Sequence, residues 1–451
     1  MRVGDIAIGR AGDKGPTLDL SVVARDAVAY ELIARELTDT AVMRALGASA
    51  VTRYELPGLW ALKFVVPGIL GEGIYSSMKA GMHWQKTAIS ALLDVELPRR
   101  NPGIPLVCVR PPGWTAPHSG GLFAGIRNWA RRAEELGFDG LFLGDRMLAS
   151  ARGSEHSTSI VYGASMLEVT TTLAALAGDT ERLLLGPLVL VLPYRHPIQM
   201  AKTLSTLDVI SDGRLILGAG LGWNDAEFAA LELPRSERGR RFEESLSLCR
   251  ALWRGECVSH AGTWAFDDVA LSPLPVQPGG PPVWMASFSP GSKLDWSGDV
   301  PESARRPLDR IGRLADGYVP LVYSASGKRR LEPVVLGRAW ERVLEAAHAA
   351  GRGRRDIDFV YSDWVYVIED AADEANCRAA LDGFFDGSWE EAQATYLIGS
   401  AEDVAARIAE QAAHIDRIDA YVLTPLGPDA GQLDGLAEVR TRLGSQPVPT
   451  T

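Results

Sequence analysis

Cysteine is scarce: four in 451 residues, at 108, 249, 257 and 377, with no C-x-x-C pair among them. That excludes a zinc knuckle and leaves no framework for a disulfide-stapled fold, so reduced, buried thiols are the expectation and no metal centre is expected. Long apolar runs are missing too. The longest, 183–192, is interrupted by Gly186 and Pro187 and is too short to span a bilayer. The N-terminus carries Asp5 and Asp13 and has no apolar signal core, which points to a cytoplasmic protein without a membrane partner. Positive charge is not in excess: 46 Lys and Arg stand against 57 Asp and Glu, a net charge of -11. Nucleic-acid binding relies on dense basic residues to replace counterions, so that class of partner is excluded.

What is present is a globular composition, 46% apolar and 23% charged, over a length that fills two or three cores. A break falls at 98–105, PRRNPGIP, where three prolines and a glycine carry no periodicity. Up to residue 100 there are 12 basic and 11 acidic residues; beyond it there are 34 and 46. The expected division is therefore a small unit at 1–97, a linker at 98–105 and a large unit at 106–451.

Alternation in Arg2–Ile8 and Leu18–Ala24 predicts two strands around a turn at 11–15, AGDKG, with Gly12 and Gly15 free to take positive φ. Asp26 is placed to cap a helix running to Leu37, a second helix follows Asp39, strands are expected near 50–56 and 59–66, and a helix over 85–93 leads to a last short strand. The GDKG turn with Lys14 offers amides to an anion, but a hairpin turn kept for backbone reasons is the plainer account. RAGDKGPTLDLSVVARD and YELPGLWALKFVVPGILGEG resemble the ferredoxin-like domain of acyclic terpene utilisation proteins, associated with acyl-CoA metabolism. Asp19 departs from the Asn usual there, and the domain here comes first in the chain. The resemblance implies docking or oligomerisation as readily as catalysis.

After residue 105, apolar strands and amphipathic helices alternate. Strands are predicted at 106–110, 138–143, 183–191, 214–219, 282–287, 317–321, 357–367 and 418–423. Helices are predicted at 122–136, 164–178, 196–211, 238–254, 304–315, 332–350, 370–385 and 400–414, with a closing helix near 430–443. Ser400 with Asp403 makes a capping box and Pro333 suits a first helical turn. Eight strands apolar on both faces predict a closed parallel (β/α)8 barrel, a TIM barrel, preceded by the small α+β unit. Function in such a barrel sits where strands end and helices begin. The rim then holds Asp145, the loop 146–163 with His156 and Tyr162, the segment LVLVLPYRHP at 188–197, the glycines 218, 220 and 222, and VWMASFSPGS after the fifth strand.

DGRLILGAGLGWNDAEF at 212–228 empties a strand into glycines, backbone that a flat or phosphorylated ligand can approach, although small residues also serve simply to turn a strand into a helix. A dinucleotide fingerprint from Gly218 needs glycine where Trp223 stands, so Rossmann-type NAD binding is not indicated. The blocks LGPLVLVLPYRHPIQMAKTLSTLDVISDGRLILGAGLGWNDAEFAALE, RGRRFEESLSLCRALWRGECVSHAGTWAFDDVALSPLPVQPGGPPVWMAS and RIGRLADGYVP resemble, in that order, the luciferase-like monooxygenase family across about 106–440.

That resemblance implies a barrel binding reduced FMN or a deazaflavin coenzyme at its mouth, a non-prolyl cis peptide between Leu188 and Val189 under the ring, Gly220, Gly222 and Trp223 along the ribityl chain and phosphate, Ser287 and Phe288 at the phosphate, and Asp145 at the polar edge of the ring or capping its own loop. His156 is the expected proton handler, by its position and near-neutral titration, unless it is an ordinary exposed loop histidine. His196 is expected to cap its helix. Trp114 and Tyr162 are expected to line the substrate cavity or pack in their loops. The stretch 288–307, about twenty residues, departs from the family pattern beside the phosphate site.

With no second nucleotide motif, the implied reaction takes reduced FMN from a separate reductase and oxygen to oxidise a small organic substrate. The alternatives are hydride transfer with a deazaflavin on the same barrel, and a non-catalytic flavin-binding or scaffold protein recruiting an acyl-CoA enzyme. The family also implies a homo-oligomer.

Overall fold

A computed structural model describes residues 2–71, 84–95, 105–111, 121–148, 166–287, 300–324, 328–382, 385–427, 429 and 431–444. The chain divides into two units, Met1–Pro105 and Leu106–Thr451, each with its own apolar core.

In the first unit four antiparallel strands, Ala7–Lys14, Thr17–Ala24, Thr52–Leu56 and Ala61–Val66, form a sheet in the order first, second, fourth, third. Helices Ala27–Glu36, Asp39–Leu46 and Trp84–Leu93 accompany it. Leu18, Leu20, Val22, Leu62, Phe64 and Val66 alternate into the core, the period expected of strands with one buried face. Asp26 caps its helix through the Ala29 N–H at 2.7 Å. The first strand begins later than predicted: Val3–Ile6 is a helical turn and the strand runs through AGDK, paired residue for residue with Thr17–Leu20. Only Gly15 and Pro16 remain as the turn, with Gly15 at φ 64°. Within the strand Gly9 lets the helix Trp84–Leu93 pack close, since a Cβ there would overlap Ile89. The expected last strand is not formed at Val95, the last described residue there, whose carbonyl accepts the Val3 N–H.

In the second unit eight strand positions close into a parallel ring: Leu106–Val109, Gly140–Leu143, Leu184–Pro187 with Leu190–Val191, Leu217–Gly220, Val283–Ser287, Gly317–Pro320, Asp358–Val367 and Ala420–Pro425. The first pairs with the eighth. The third, predicted as one strand, is two short pieces, and both meet the fourth, through Leu185 with Leu215 below and Leu190 with Ala219 and Val191 with Gly220 above. Inside the ring Cys108, Phe142, Ile216, Trp284, Val360 and Val422 form an apolar plug, with Phe142 and Trp284 stacked at 5.2 Å. Barrel interiors are filled this way, which leaves only the rim for a ligand.

The capping box of Ser400 and Asp403 and Pro333 at its helix start stand as read. Elements without a counterpart in the sequence reading include an antiparallel hairpin, Val258–Ala261 with Ala265–Val269, a short ribbon, Tyr323–Ser324 with Arg329–Arg330, and a helix Trp389–Thr395 leading to a strand Leu397–Gly399 beside the seventh barrel strand. Three cysteines are buried, while Cys257 is exposed, a departure from the expectation for all four. Among the described residues no helix is long and apolar enough to cross a membrane and no cluster of potential ligands for a metal ion occurs.

Candidate functional site

The fourth strand ends in glycines because the third strand nests against it. A Cβ at Gly218 would overlap the Pro187 carbonyl oxygen and one at Gly220 would overlap Val189. At Gly222, which sits at φ 79°, it would come within 2.7 Å of Val191 Cγ1 and 3.1 Å of Tyr194 Oη. At Gly218 and Gly220 the space is taken by the third strand, the packing use of such glycines, while Gly222 borders the rim hollow. The peptide between Leu188 and Val189 is cis, at the position the resemblance implied, and the strand resumes at Leu190.

Two carboxylates tie the rim together. Asp145, after the second strand, forms a two-pronged pair with Arg195, Nη1 to Oδ2 at 2.6 Å and Nη2 to Oδ1 at 2.9 Å, and also accepts the Val191 N–H at 3.0 Å. The side chains are only 3% and 9% exposed, so this is a desolvated, charge-assisted contact that fixes where the third strand ends. Glu227, buried on the short helix Asp225–Ala230, reaches back with Oε1 to the N–H groups of Met147 and Leu148, at 2.9 and 3.1 Å. The segments after the second, third and fourth strands are thereby joined around a small hollow open to solvent. Asp145, Val191, Tyr194, Gly222, Trp223 and Glu227 face it, with Trp223 half exposed.

Tyr194 closes the turn Leu192–Tyr194 and meets Phe228 edge to face at 4.9 Å. Burial, and then the negative charge of Glu227, pushes its phenol well above the ordinary tyrosine range. On the other side of the rim Arg110 rises from the end of the first strand next to Gly144, and its buried Nε has no hydrogen-bond partner among the described residues. The rim therefore combines two carboxylates that the fold itself engages with the cationic Arg110 and the aromatic rings of Tyr194 and Trp223.

Of the residues singled out in the sequence, the structure brings Asp145, Leu188, Val189, Gly220, Gly222 and Trp223 to this one stretch of rim. Ser287 ends the fifth strand, its main chain opposite Pro320; its side chain lies outside the described residues, as do Trp114, His156, Tyr162 and Phe288 and most of the 288–307 stretch, of which Glu302 onward is helical. His196 caps its helix as expected, Nδ1 accepting the Ile198 N–H at 3.3 Å. Sequence reasoning passed over Arg195, Glu227, Tyr194 and Arg110. The position of Arg195 two residues before the helix proline was a usable signal; Glu227 reads as an ordinary surface position of an acidic helix start.

Residues 106–295 match the profile of the family described as luciferase-like monooxygenase, and residues 1–98 match that of the AtuA ferredoxin-like domain. An F420-dependent glucose-6-phosphate dehydrogenase of Microbacterium testaceum is 31% identical over 234 residues, 50% of this chain and 59% of the relative. The oxygenase component of a flavin-dependent trigonelline monooxygenase of Acinetobacter baylyi is 31% identical over 122 residues, 27% of this chain and 34% of the relative. The chain thus spans between a third and three fifths of the lengths of these two relatives. An F420-dependent secondary alcohol dehydrogenase solved with an F420-acetone adduct superimposes with a TM-score of 0.57 at 16% identity, covering 75% of this chain and 99% of the other, a likeness of fold. The chain accordingly joins a segment that matches the AtuA ferredoxin-like domain to a TIM barrel whose residues 106–295 match the luciferase-like monooxygenase model, and its similar proteins include F420-dependent and flavin-dependent oxidoreductases.

Proposed function

We propose that the protein is an oxidoreductase that seats a flat tricyclic coenzyme against the kinked third strand, and that this coenzyme is a deazaflavin used for hydride transfer to or from a small organic substrate. The observation that carries this reading is the extent of similarity: the match to an F420-dependent dehydrogenase runs over 234 residues, against 122 for the oxygenase component. The structure supports the reading with one feature of the rim, the buried Arg110 Nε beside Gly144, which lacks an acceptor among the described residues.

When bound, a deazaflavin supplies or takes up a hydride at its ring. The chain's own part is positional. Asp145 and Arg195 hold the wall formed by Leu188–Val191, Glu227 keeps the 147–148 main chain folded over the rim, and the plug of Phe142, Ile216 and Trp284 closes the floor against water.

A second reading, reduced FMN with molecular oxygen and a separate flavin reductase, is favoured by the oxygenase-component match. Titration of the purified protein with F420, FMN and reduced FMN, followed by fluorescence and by oxygen uptake, separates the two. Tight binding of F420 without oxygen uptake supports the first; binding of reduced FMN alone, with oxygen consumed, replaces it with the second. Binding of none of the three returns the barrel to a scaffold role.

A further inference from the structure

We infer that Arg110 is the counter-charge that the barrel mouth holds for an anionic ligand, its guanidinium taking two oxygens of a carboxylate or phosphate group. The inference deepens the oxidoreductase reading above and rests on it for the rim as the ligand site, adding the chemical class of what enters.

The register of the barrel decides where this side chain goes. Leu106 and Cys108 belong to the apolar plug, while Val107 and Val109 pack toward the helices. Side chains alternate along a strand, so Arg110 continues the inward row. Val109 pairs with Leu141 on one side and Leu423 on the other, which sets Arg110 level with Phe142 and Thr424 at the top of the plug. The guanidinium reaches past that layer: a Cβ on Gly144 would lie 3.2 Å from Nη2, so a glycine two residues beyond Phe142 leaves the room it occupies.

The chain supplies no anion to meet this cation. Among the described residues the Arg110 side chain enters no hydrogen bond or ion pair, and its Nε is a buried atom without a partner. Asp145, which follows Gly144, is already engaged at both oxygens, by Arg195 and by the Val191 N–H. Part-buried arginines elsewhere in the same unit do meet carboxylates: Arg250 and Arg352 share Asp316, Arg310 meets Glu243 and Arg330 meets Asp363. An inward guanidinium without such a partner, set above an apolar floor, is unfavourable until an anion arrives. Its planar fork matches the paired oxygens of carboxylate and phosphate groups.

The test compares the full chain with Arg110→Met and Arg110→Lys. Each is melted in acetate, benzoate or inorganic phosphate against chloride of equal ionic strength, and titrated with F420 and FMN by fluorescence. The expected result is that at least one of these five ligands binds the parent, that Arg110→Met binds it roughly ten- to hundredfold more weakly, as for loss of a hydrogen bond to a charged group, and that Arg110→Lys falls between them. Without ligand Arg110→Met should melt at or above the parent, since an uncompensated cation has been removed. An Arg110-dependent response to a simple anion assigns the group to the substrate; one confined to F420 or FMN assigns it to the coenzyme. Equal affinity of parent and Arg110→Met for every ligand that binds overturns the inference and leaves the coenzyme reading standing, and a lowered melting temperature at unchanged affinity overturns it too. Arg110-dependent binding of a simple anion with neither coenzyme bound sustains the inference and removes that reading. A parent that binds none of the five overturns both.

Discussion

At Gly218 the nearest obstacle to a side chain is a main-chain carbonyl, that of Pro187; at Gly220 it is the end of the Val189 side chain. Overpacking of this kind costs about 1–3 kcal/mol, and less where a side chain can move aside. Gly218→Ala is therefore expected to lower unfolding free energy in urea by more than Gly220→Ala, and Val189→Ala is expected to restore part of the loss when combined with Gly220→Ala but none when combined with Gly218→Ala. Asp145 poses the converse case. Asp145→Ala takes the two-pronged partner from buried Arg195, leaving only Glu168 at 3.6 Å, and it frees the Val191 N–H, so the cost is expected to fall below the about 3–5 kcal/mol of a wholly uncompensated buried charge. The adjoining change Arg195→Met made together with it should cost clearly less than the sum of the two, as measured by chemical denaturation. These residues also mark the limit of what a sequence discloses. The glycine run and Asp145 were visible as rim features, but their partners stand 28 to 50 positions away, and no local pattern encodes which strand a glycine must admit.

Elements were the most legible level. Ser400, Asp26 and Pro333 announce their helices through local chemistry, and each does so in the structure. The hairpin Val258–Ala261 with Ala265–Val269 was missed because its sequence is polar and its faces are mostly exposed or half-buried. Its anchor is a contact from another element, Glu244 on the helix Arg238–Trp253, which takes the Thr263 N–H at 2.6 Å, the Thr263 hydroxyl at 2.5 Å and His260 Nε2 at 2.7 Å. Burial acts to raise the Glu244 pKa, yet these hydrogen bonds outweigh it and hold the carboxyl below the usual glutamate value of 4.5. A depressed folded-state value means the clamp contributes fully above the unfolded-state pKa and is lost as pH falls through the folded one. Hydrogen exchange in 258–269 is thus expected to rise, relative to the barrel strands and after correction for intrinsic rates, only at pH below about 4.5, and Glu244→Ala should produce the same loosening at neutral pH. A hairpin equally protected in that variant would remove Glu244 from this role.

For the molecule as a whole, the break at PRRNPGIP was legible because composition and charge change there together, and ring closure followed from eight doubly apolar strands. The split of the third strand was not read from periodicity, since Gly186 and Pro187 interrupt 183–191 without showing whether the strand resumes; only the family resemblance placed a cis peptide there. Separate cores in Met1–Pro105 and Leu106–Thr451 make single-step unfolding a poor expectation. Scanning calorimetry should resolve two transitions, and a coenzyme held by the barrel should raise only one of them; a single sharp transition with equal calorimetric and van't Hoff enthalpies would contradict that.

The surface position of Cys257, with Cys108, Cys249 and Cys377 enclosed, equips the native protein with a ready attachment point. Its Sγ donates to Asp268 Oδ1 at 2.8 Å across the foot of the hairpin, and that bond to a carboxylate shifts the group's ionisation to higher pH. A maleimide dye should accordingly attach once per chain, slowly at neutral pH and faster in mild alkali, and report on hairpin motion without any engineered substitution.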